Sequence, residues 1–286
     1  MADALTGKTE VSAVVETVVA NRIQMVLTAE MVVWPLMSDY SDLVGPGMDT
    51  LKIPRFSNFT VSAKSENTAV DAQTNTISAD SLLLDKHEVV QVLIEDIASL
   101  QSKIGLVAAY VDQAAKDMAA KMDANLIVAL DAGVSTSAPD HAVKFTDATN
   151  EDIEKLDILG ARELLNIAKV PQSERWGIVD PTQEKYLLNI SEFTRIDEAG
   201  SSAALRNGQV GKLFGFDIVL YQGVENTANA AYFGHKSAMA VARQLMPKVE
   251  QDRDLPNLSD RHSVSHIYGY KVLDSGKRFV QITETA

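Results

Sequence analysis

The stretch 51–96 constrains this chain more than any other. LKIPRFSNFTVSA sets Leu51, Ile53, Phe59 and Val61 between polar or proline positions, the period-two pattern of an extended limb. KSENTAVDAQTNTISAD, residues 64–80, has no large apolar cluster, and SLLLDKHEVVQVLIED then returns to apolar and β-branched residues. Two extended limbs around a long polar tip predict a hairpin. At about 3.3 Å per residue, a limb of about a dozen residues reaches roughly 40 Å. A two-stranded ribbon of that length is marginal alone in water. It needs a surface to lie on, and with the rest of the chain compact that surface is expected on another copy.

Next comes SLQSKIGLVAAYVDQAAKDMAAKMDANLIVALDAG, residues 99–133. Leu100, Ile104, Val107, Val111, Ala114, Met118, Met122 and Leu126 recur at steps of three and four, one apolar stripe on a helix. Ser99 or Ser102 can cap its start and Gly133 its end. Gly105 is the weak point of the first turns. About 30 helical residues give a rod near 45 Å. The small residues Ala108, Ala115 and Ala119 flank the stripe, which favours close packing in a core over a coiled coil.

Residues 149–243 mix helices and strands. Thr149 or Asn150 is expected to start a helix, with Glu151 and Asp152 in its first turn, where the dipole favours acids. Ile153, Leu156, Leu164 and Ile167 are its expected buried face. RWGIVD reads as a short buried strand. Asp180 and Pro181 then open a helix as N-cap and first residue, with Gln183 completing a capping-box-like start. Residues 196–207 are a polar loop. Phe216, Ile218 and Leu220 lie on one side of a strand, AYFG is another strand, and HKSAMAVARQ is expected to be a short helix. From Leu245 onward, HSVSHIYGYKVL and RFVQIT are extended, joined by a turn at Asp274, Ser275, Gly276 and Lys277.

The 286 residues are 46% hydrophobic, enough for one large domain or two modest ones with a real core. A net charge of -13 argues against a nucleic-acid reader, which shows a basic patch or stripe. Absent cysteines exclude disulfides, thiolate metal sites and cysteine nucleophiles. Glu16, Arg22 and Glu30 interrupt the apolar N-terminal stretch, so no uncharged run reaches the roughly 18 residues of a spanning helix. No signal peptide is expected, and the stretch reads as a helical arm packed on a protein surface. Gly208, Gly211, Gly215 and Gly223 match neither phosphate-binding glycine spacing. Asn207 with Gly208 reads as a turn pair, and Gly211 and Gly215 as places for a bend or a close approach. His262 and His266, four apart on a strand, sit about 13 Å from each other, too far to share a metal. The adjacent acids Glu95, Asp96 and Glu151, Asp152 point apart and make poor proton-transfer pairs. No catalytic residue, cofactor site or metal site is expected.

The segments RWGIVDPTQEKYLLNI, ALRNGQVGKLFGFDIVLYQGV and IYGYKVLDSGKRFVQIT, taken with the order of elements, resemble the major capsid proteins of tailed double-stranded DNA bacteriophages. The resemblance implies an α+β chain of the Hong Kong-type phage capsid fold. Residues 1–50 would be an N-terminal arm and 51–96 an extended β-hairpin loop lying across a neighbouring subunit. Residues 97–148 and 245–286 would form a peripheral domain with a long spine helix, and 149–244 an axial α/β domain. The implied partner is the chain itself, in pentamers and hexamers of an icosahedral shell that encloses DNA without binding it specifically and involves no membrane. Lacking the long N-terminal scaffolding segment of some relatives, the chain is expected to use a separate scaffolding protein, with a portal and a decoration protein as further implied partners. The expected location is the virion, after assembly in the bacterial cytoplasm. Candidate assembly residues are Asp180, Pro181, Gly208, Gly211 and Gly215 in the shared motif, Lys64 and Glu66 near the hairpin tip, and Arg195 and Glu198 in the axial loop. Two alternatives remain open: a compartment shell of the same fold enclosing a cargo enzyme, and a soluble α/β enzyme using the Gly208–Gly215 loop.

Overall fold

The computed structural model describes residues 26, 30–56, 59–61, 63, 64, 66, 67, 74, 77–96, 106–146, 152–190, 211–222 and 231–283. Two sheets and a two-stranded ribbon organise them.

The long sheet has the order β1-β10-β11-β4. It is built from β1 (Ser38–Asp39), β4 (Lys86–Glu95), β10 (Met239–Asp254) and β11 (Ser259–Val272). The helix α1 (Leu106–Gly133) lies against it. At 1.5 Å per residue α1 is about 42 Å long. Of the apolar stripe, Ala114, Met118, Met122 and Leu126 are buried, with Ala115 and Ala119 beside them. Ala115, Met118, Ala119, Met122 and Leu126 join Trp34, Met37, Val249, Val264 and Tyr268 in one core cluster. Alanines at the contact let the helix axis approach the sheet closely. The part of the stripe from Leu100 to Ile104, with Ser99, Ser102 and Gly105, lies outside the described residues.

The second sheet has the order β5-β12-β9-β6-β8-β7. Its strands are β5 (Ala142–Lys144), β6 (Arg175–Val179), β7 (Lys212–Leu213), β8 (Phe216–Leu220), β9 (Ala231–His235) and β12 (Phe279–Thr283). All five residues of β6 and of β9 are buried, because both faces of this sheet are covered. Val179, Ala231, Phe233, Val280 and Ile282 face the helices α2 (Lys155–Ile167) and α3 (Pro181–Asn189). Trp176, Ile178, Tyr232 and Phe279 face the other way, into the cluster that α1 shares with the long sheet. Asp131 on α1 accepts from Gln281 Nε2 at 2.6 Å and from Tyr232 Oη at 3.4 Å. One rod therefore serves both sheets.

Several local expectations change. The run 77–95 is not one hairpin limb: β3 (Ile77–Leu83) pairs with β2 (Thr50–Phe56), whereas β4 pairs with β11. Leu82 and Leu84, both buried, hold the chain where it crosses from ribbon to sheet. HKSAMAVARQ is not a helix. His235 Nδ1 accepts from Ser237 N at 3.1 Å to cap a single turn at Lys236–Ala238, and β10 follows. Met239, Ala240, Val241 and Ala242 are all fully buried, so the alanines serve a strand covered on both sides. The expected helix start at Thr149 or Asn150 falls outside the described residues. The helix begins at Lys155, with Glu154 as N-cap in a capping box with Asp157. Its buried face is Ile158, Ala161 and Leu165, while Leu156 and Ile167 are exposed. The final strand β12, expected among the closing strands of the peripheral region, lies between β5 and β9 of the six-stranded sheet.

Candidate interaction surface

Along β2 and β3, alternate residues face opposite sides. Leu51 and Leu82 pair across the ribbon and are buried with Ala240, Ala242 and Leu273. Further along the same side come Ile53 opposite Asp80 and Arg55 opposite Ser78. Arg55 Nη2 donates to Asp274 Oδ1 of the body at 2.7 Å. The other side carries Lys52 opposite Ser81, Pro54 opposite Ala79 and Phe56 opposite Ile77. Phe56 is 66% and Ile77 64% exposed, and beyond them Phe59 and Val61 are exposed as well. The ribbon is thus tethered by its inner side and presents an apolar outer side, which water disfavours at about 25 cal/mol per Å².

Two more apolar sites lie on the long sheet. Val89 and Leu93 share the outward face of β4, each about half exposed. Leu255 and Leu258 crown the turn between β10 and β11, also exposed. That turn is held by Arg253, which donates to both oxygens of Asp96 and to Asp260, and by the Arg261–Asp254 pair at 3.1 Å. The Arg253 guanidinium holds the Asp96 carboxyl below its ordinary range.

Beneath the long sheet lies a polar junction. Glu88 Oε1 accepts from Asn125 Nδ2 at 2.9 Å and from Tyr268 Oη at 3.1 Å. His266 Nε2 is 3.4 Å from Glu88 Oε2. Burial nevertheless pushes His266 below its ordinary range, with the attraction of Glu88 opposing and Arg243 and His87 adding to the fall. His266 is therefore neutral at neutral pH, and the contact is not an ion pair there. On α1, the buried Asp123 accepts from the backbone N–H of Val32 at 2.6 Å and of Trp34 at 3.1 Å. Its carboxylate straps the N-terminal segment to the helix. Desolvation raises its proton affinity, against the lowering effect of those N–H groups.

The residues singled out from sequence scatter. Asp180 caps α3, accepting from Thr182 N at 2.8 Å, with Pro181 in the first helical position. Gln183 does not close a box with it. Its Oε1 instead accepts from Ile153 N at 2.8 Å. Phe214 and Gly215, with φ of 48° and 89°, form the two-residue turn between β7 and β8, a left-handed pair of the kind that closes tight hairpins. Gly211 has no atom within 4 Å of where a Cβ would stand. Lys64 and Glu66 are exposed. Gly208, Arg195 and Glu198 lie outside the described residues. His262 half-lines a shallow apolar depression with Val92, Ile94, Tyr110 and Val264, while His266 is buried farther along β11. Among the described residues no three His, Cys, Asp or Glu side chains gather as metal ligands. Among them, too, no helix is long and apolar enough to cross a membrane. Periodicity pointed to the ribbon but could not show the Arg55–Asp274 tether or the Glu88–Asn125–Tyr268 junction, because their partners are far apart in sequence.

Comparison with known proteins bears on this surface. The profile of a family described as phage capsid protein matches residues 90–281. Among solved structures, a chain from Mycobacterium phage Che8 is 25% identical with a TM-score of 0.70, covering 88% of this chain and 90% of that one. The capsid structure of cyanophage P-SCSP1u gives a TM-score of 0.73 at 17% identity, covering 89% and 88%. The capsid of cyanophage Pam1 gives 0.68 at 15%, covering 86% and 87%. No curated protein sequence matches.

Proposed function

Because this chain belongs to the phage capsid protein family, has the Hong Kong-type capsid fold and is a shell-forming major capsid protein of the virion, we propose that the β2–β3 ribbon is its chief assembly element. In this reading the apolar outer side of the ribbon lies across a neighbouring copy. The observation that carries it is the directly paired, exposed Phe56 and Ile77 on a ribbon otherwise tethered by its inner side. Heterologous contacts of this kind close into rings, here pentamers and hexamers of an icosahedral shell around double-stranded DNA. The division into arm (1–50), extended loop (51–96), peripheral region (97–148 and 245–286) and axial region (149–244) is part of the proposal. The strand β12 is then a peripheral-region segment that crosses into the axial sheet.

A separate scaffolding protein, a portal and a decoration protein are proposed partners, with assembly in the host cytoplasm. The net charge of -13 supports a wall that holds DNA without gripping it, since tight binding tracks phosphate neutralisation by Lys and Arg. The chain acts through contact area rather than catalysis. Expression alone and with a scaffolding partner, followed by electron microscopy and sedimentation, tests the reading. Capsomers or closed particles are expected. A chain that stays monomeric at high concentration overturns it.

A further inference from the structure

The ribbon is fixed to the body at two points. The first is the apolar base, Leu51 and Leu82 with Ile53 packed against their cluster. The second is Arg55, four residues or about 13 Å farther out, whose guanidinium reaches Asp274 at 2.7 Å. One point alone would leave a pivot, so the second sets the angle at which the ribbon leaves the body. Asp274 is built to resist movement. It and Ser275 have φ of 54° and 53°, and Gly276 follows at 73°. The turn is so tight against the end of α1 that a Cβ on Gly276 would come within 2.0 Å of Gly133 O. The second oxygen of Asp274 takes Arg278 Nε at 3.3 Å. Arg278 in turn donates to Ser237 Oγ at 2.9 Å, which is 2.8 Å from His235 Nδ1. The turn thus joins ribbon, helix end and six-stranded sheet.

A second carboxylate waits on the ribbon itself. Asp80 Oδ2 is buried, accepts no hydrogen bond, and lies 3.6 Å from Arg55 Nη1. We propose that Arg55 is an exchangeable clasp. Bound to Asp274 it fixes the ribbon against the body. Passed wholly to Asp80 it frees the ribbon to swing about Leu51 and Leu82 while its charge stays paired. Asp274 is the positioning residue for the ribbon and Asp80 the alternative acceptor, whatever surface the ribbon meets.

The chain has no cysteine, so spin labels at Ala79→Cys on the ribbon and Lys144→Cys on the body are unique, and both sites are exposed. Labelled full-length chain is diluted into unlabelled chain, and the 79–144 distance distribution is read by electron–electron resonance. This readout does not depend on shell formation. D274N keeps the left-handed backbone, which Asn tolerates, and is expected to widen the distribution at least twofold with an unchanged circular dichroism spectrum. R55Q widens it equally and serves if D274N folds poorly. D80N leaves it narrow, because the Asp274 contact remains. A distribution unchanged by D274N and R55Q, or one widened as much by D80N, overturns the proposal.

Discussion

Phe56 and Ile77 stand directly opposite each other at the outer end of the β2–β3 ribbon, and about two thirds of each is exposed. Neither supports the fold of its own chain, so replacing both with serine is expected to leave the circular dichroism spectrum and unfolding midpoint unchanged within about 0.5 kcal/mol. Each such side chain fully buried at a contact contributes about 1.5–3 kcal/mol. The double variant should therefore raise the concentration needed for self-association roughly 100-fold or more. Sedimentation velocity over a concentration series reads this, and particles forming at the wild-type threshold would remove the ribbon from the assembly contact.

His266 supplies a pH dependence with a definite sign. Its proton affinity falls on folding because burial disfavours the imidazolium, so above about pH 6.5 both states are neutral and stability is flat. As pH drops from there toward the depressed folded value, the unfolded chain takes up a proton that the folded chain refuses, and stability declines by up to about 1.4 kcal/mol per pH unit. His235 is depressed for the same main reason and adds to the slope. Urea midpoints measured from pH 5 to 8 should show this acid limb. His266→Phe, packed beside the Tyr268 ring 5.1 Å away, should flatten part of it. An identical limb in that variant would show that His266 does not titrate there.

Glycines at 276 and 211 make an internal contrast. At 276 the backbone is left-handed and a Cβ would meet Gly133 O, so Gly276→Ala is expected to cost about 1–3 kcal/mol. At 211 nothing lies within 4 Å, and Gly211→Ala should fall within about 0.5 kcal/mol of wild type. Thermal melts of the two variants check both.

Asp180→Ala removes the acceptor for Thr182 N and is expected to cost about 1 kcal/mol, while Asp180→Asn, itself a good cap, costs little. Equal losses in the two variants would point to a role other than capping.

What the sequence made legible followed its periodicities. The stripe through Ala114, Met118, Met122 and Leu126, the buried strand at Arg175–Val179 and the cap at Asp180 are local patterns with local causes. The inner side of the ribbon at Leu51 and Ile53 could be read from alternation, whereas the exposed pair Phe56 and Ile77 could not. Other features depend on distant partners. Residues 86–95 look like a continuation of the ribbon until β11 is there to pair with them. The alanines at 240 and 242 read as helical until it is seen that both sides of β10 are covered. The Leu156 and Ile167 assignments failed because Ile153 is buried ahead of a helix that starts only at Lys155 and turns Ile158, Ala161 and Leu165 to the core. The tether from Arg55 to Asp274 spans 219 residues and leaves no trace in any window of sequence.

The position of β12 between β5 and β9 has a consequence for manufacture. It emerges from the ribosome after every other strand of its sheet, so until Phe279–Thr283 has been made, β5 and β9 lack the partner they share. A product cut short before Phe279 lacks the strand that joins β5 to β9 and cannot complete this layer.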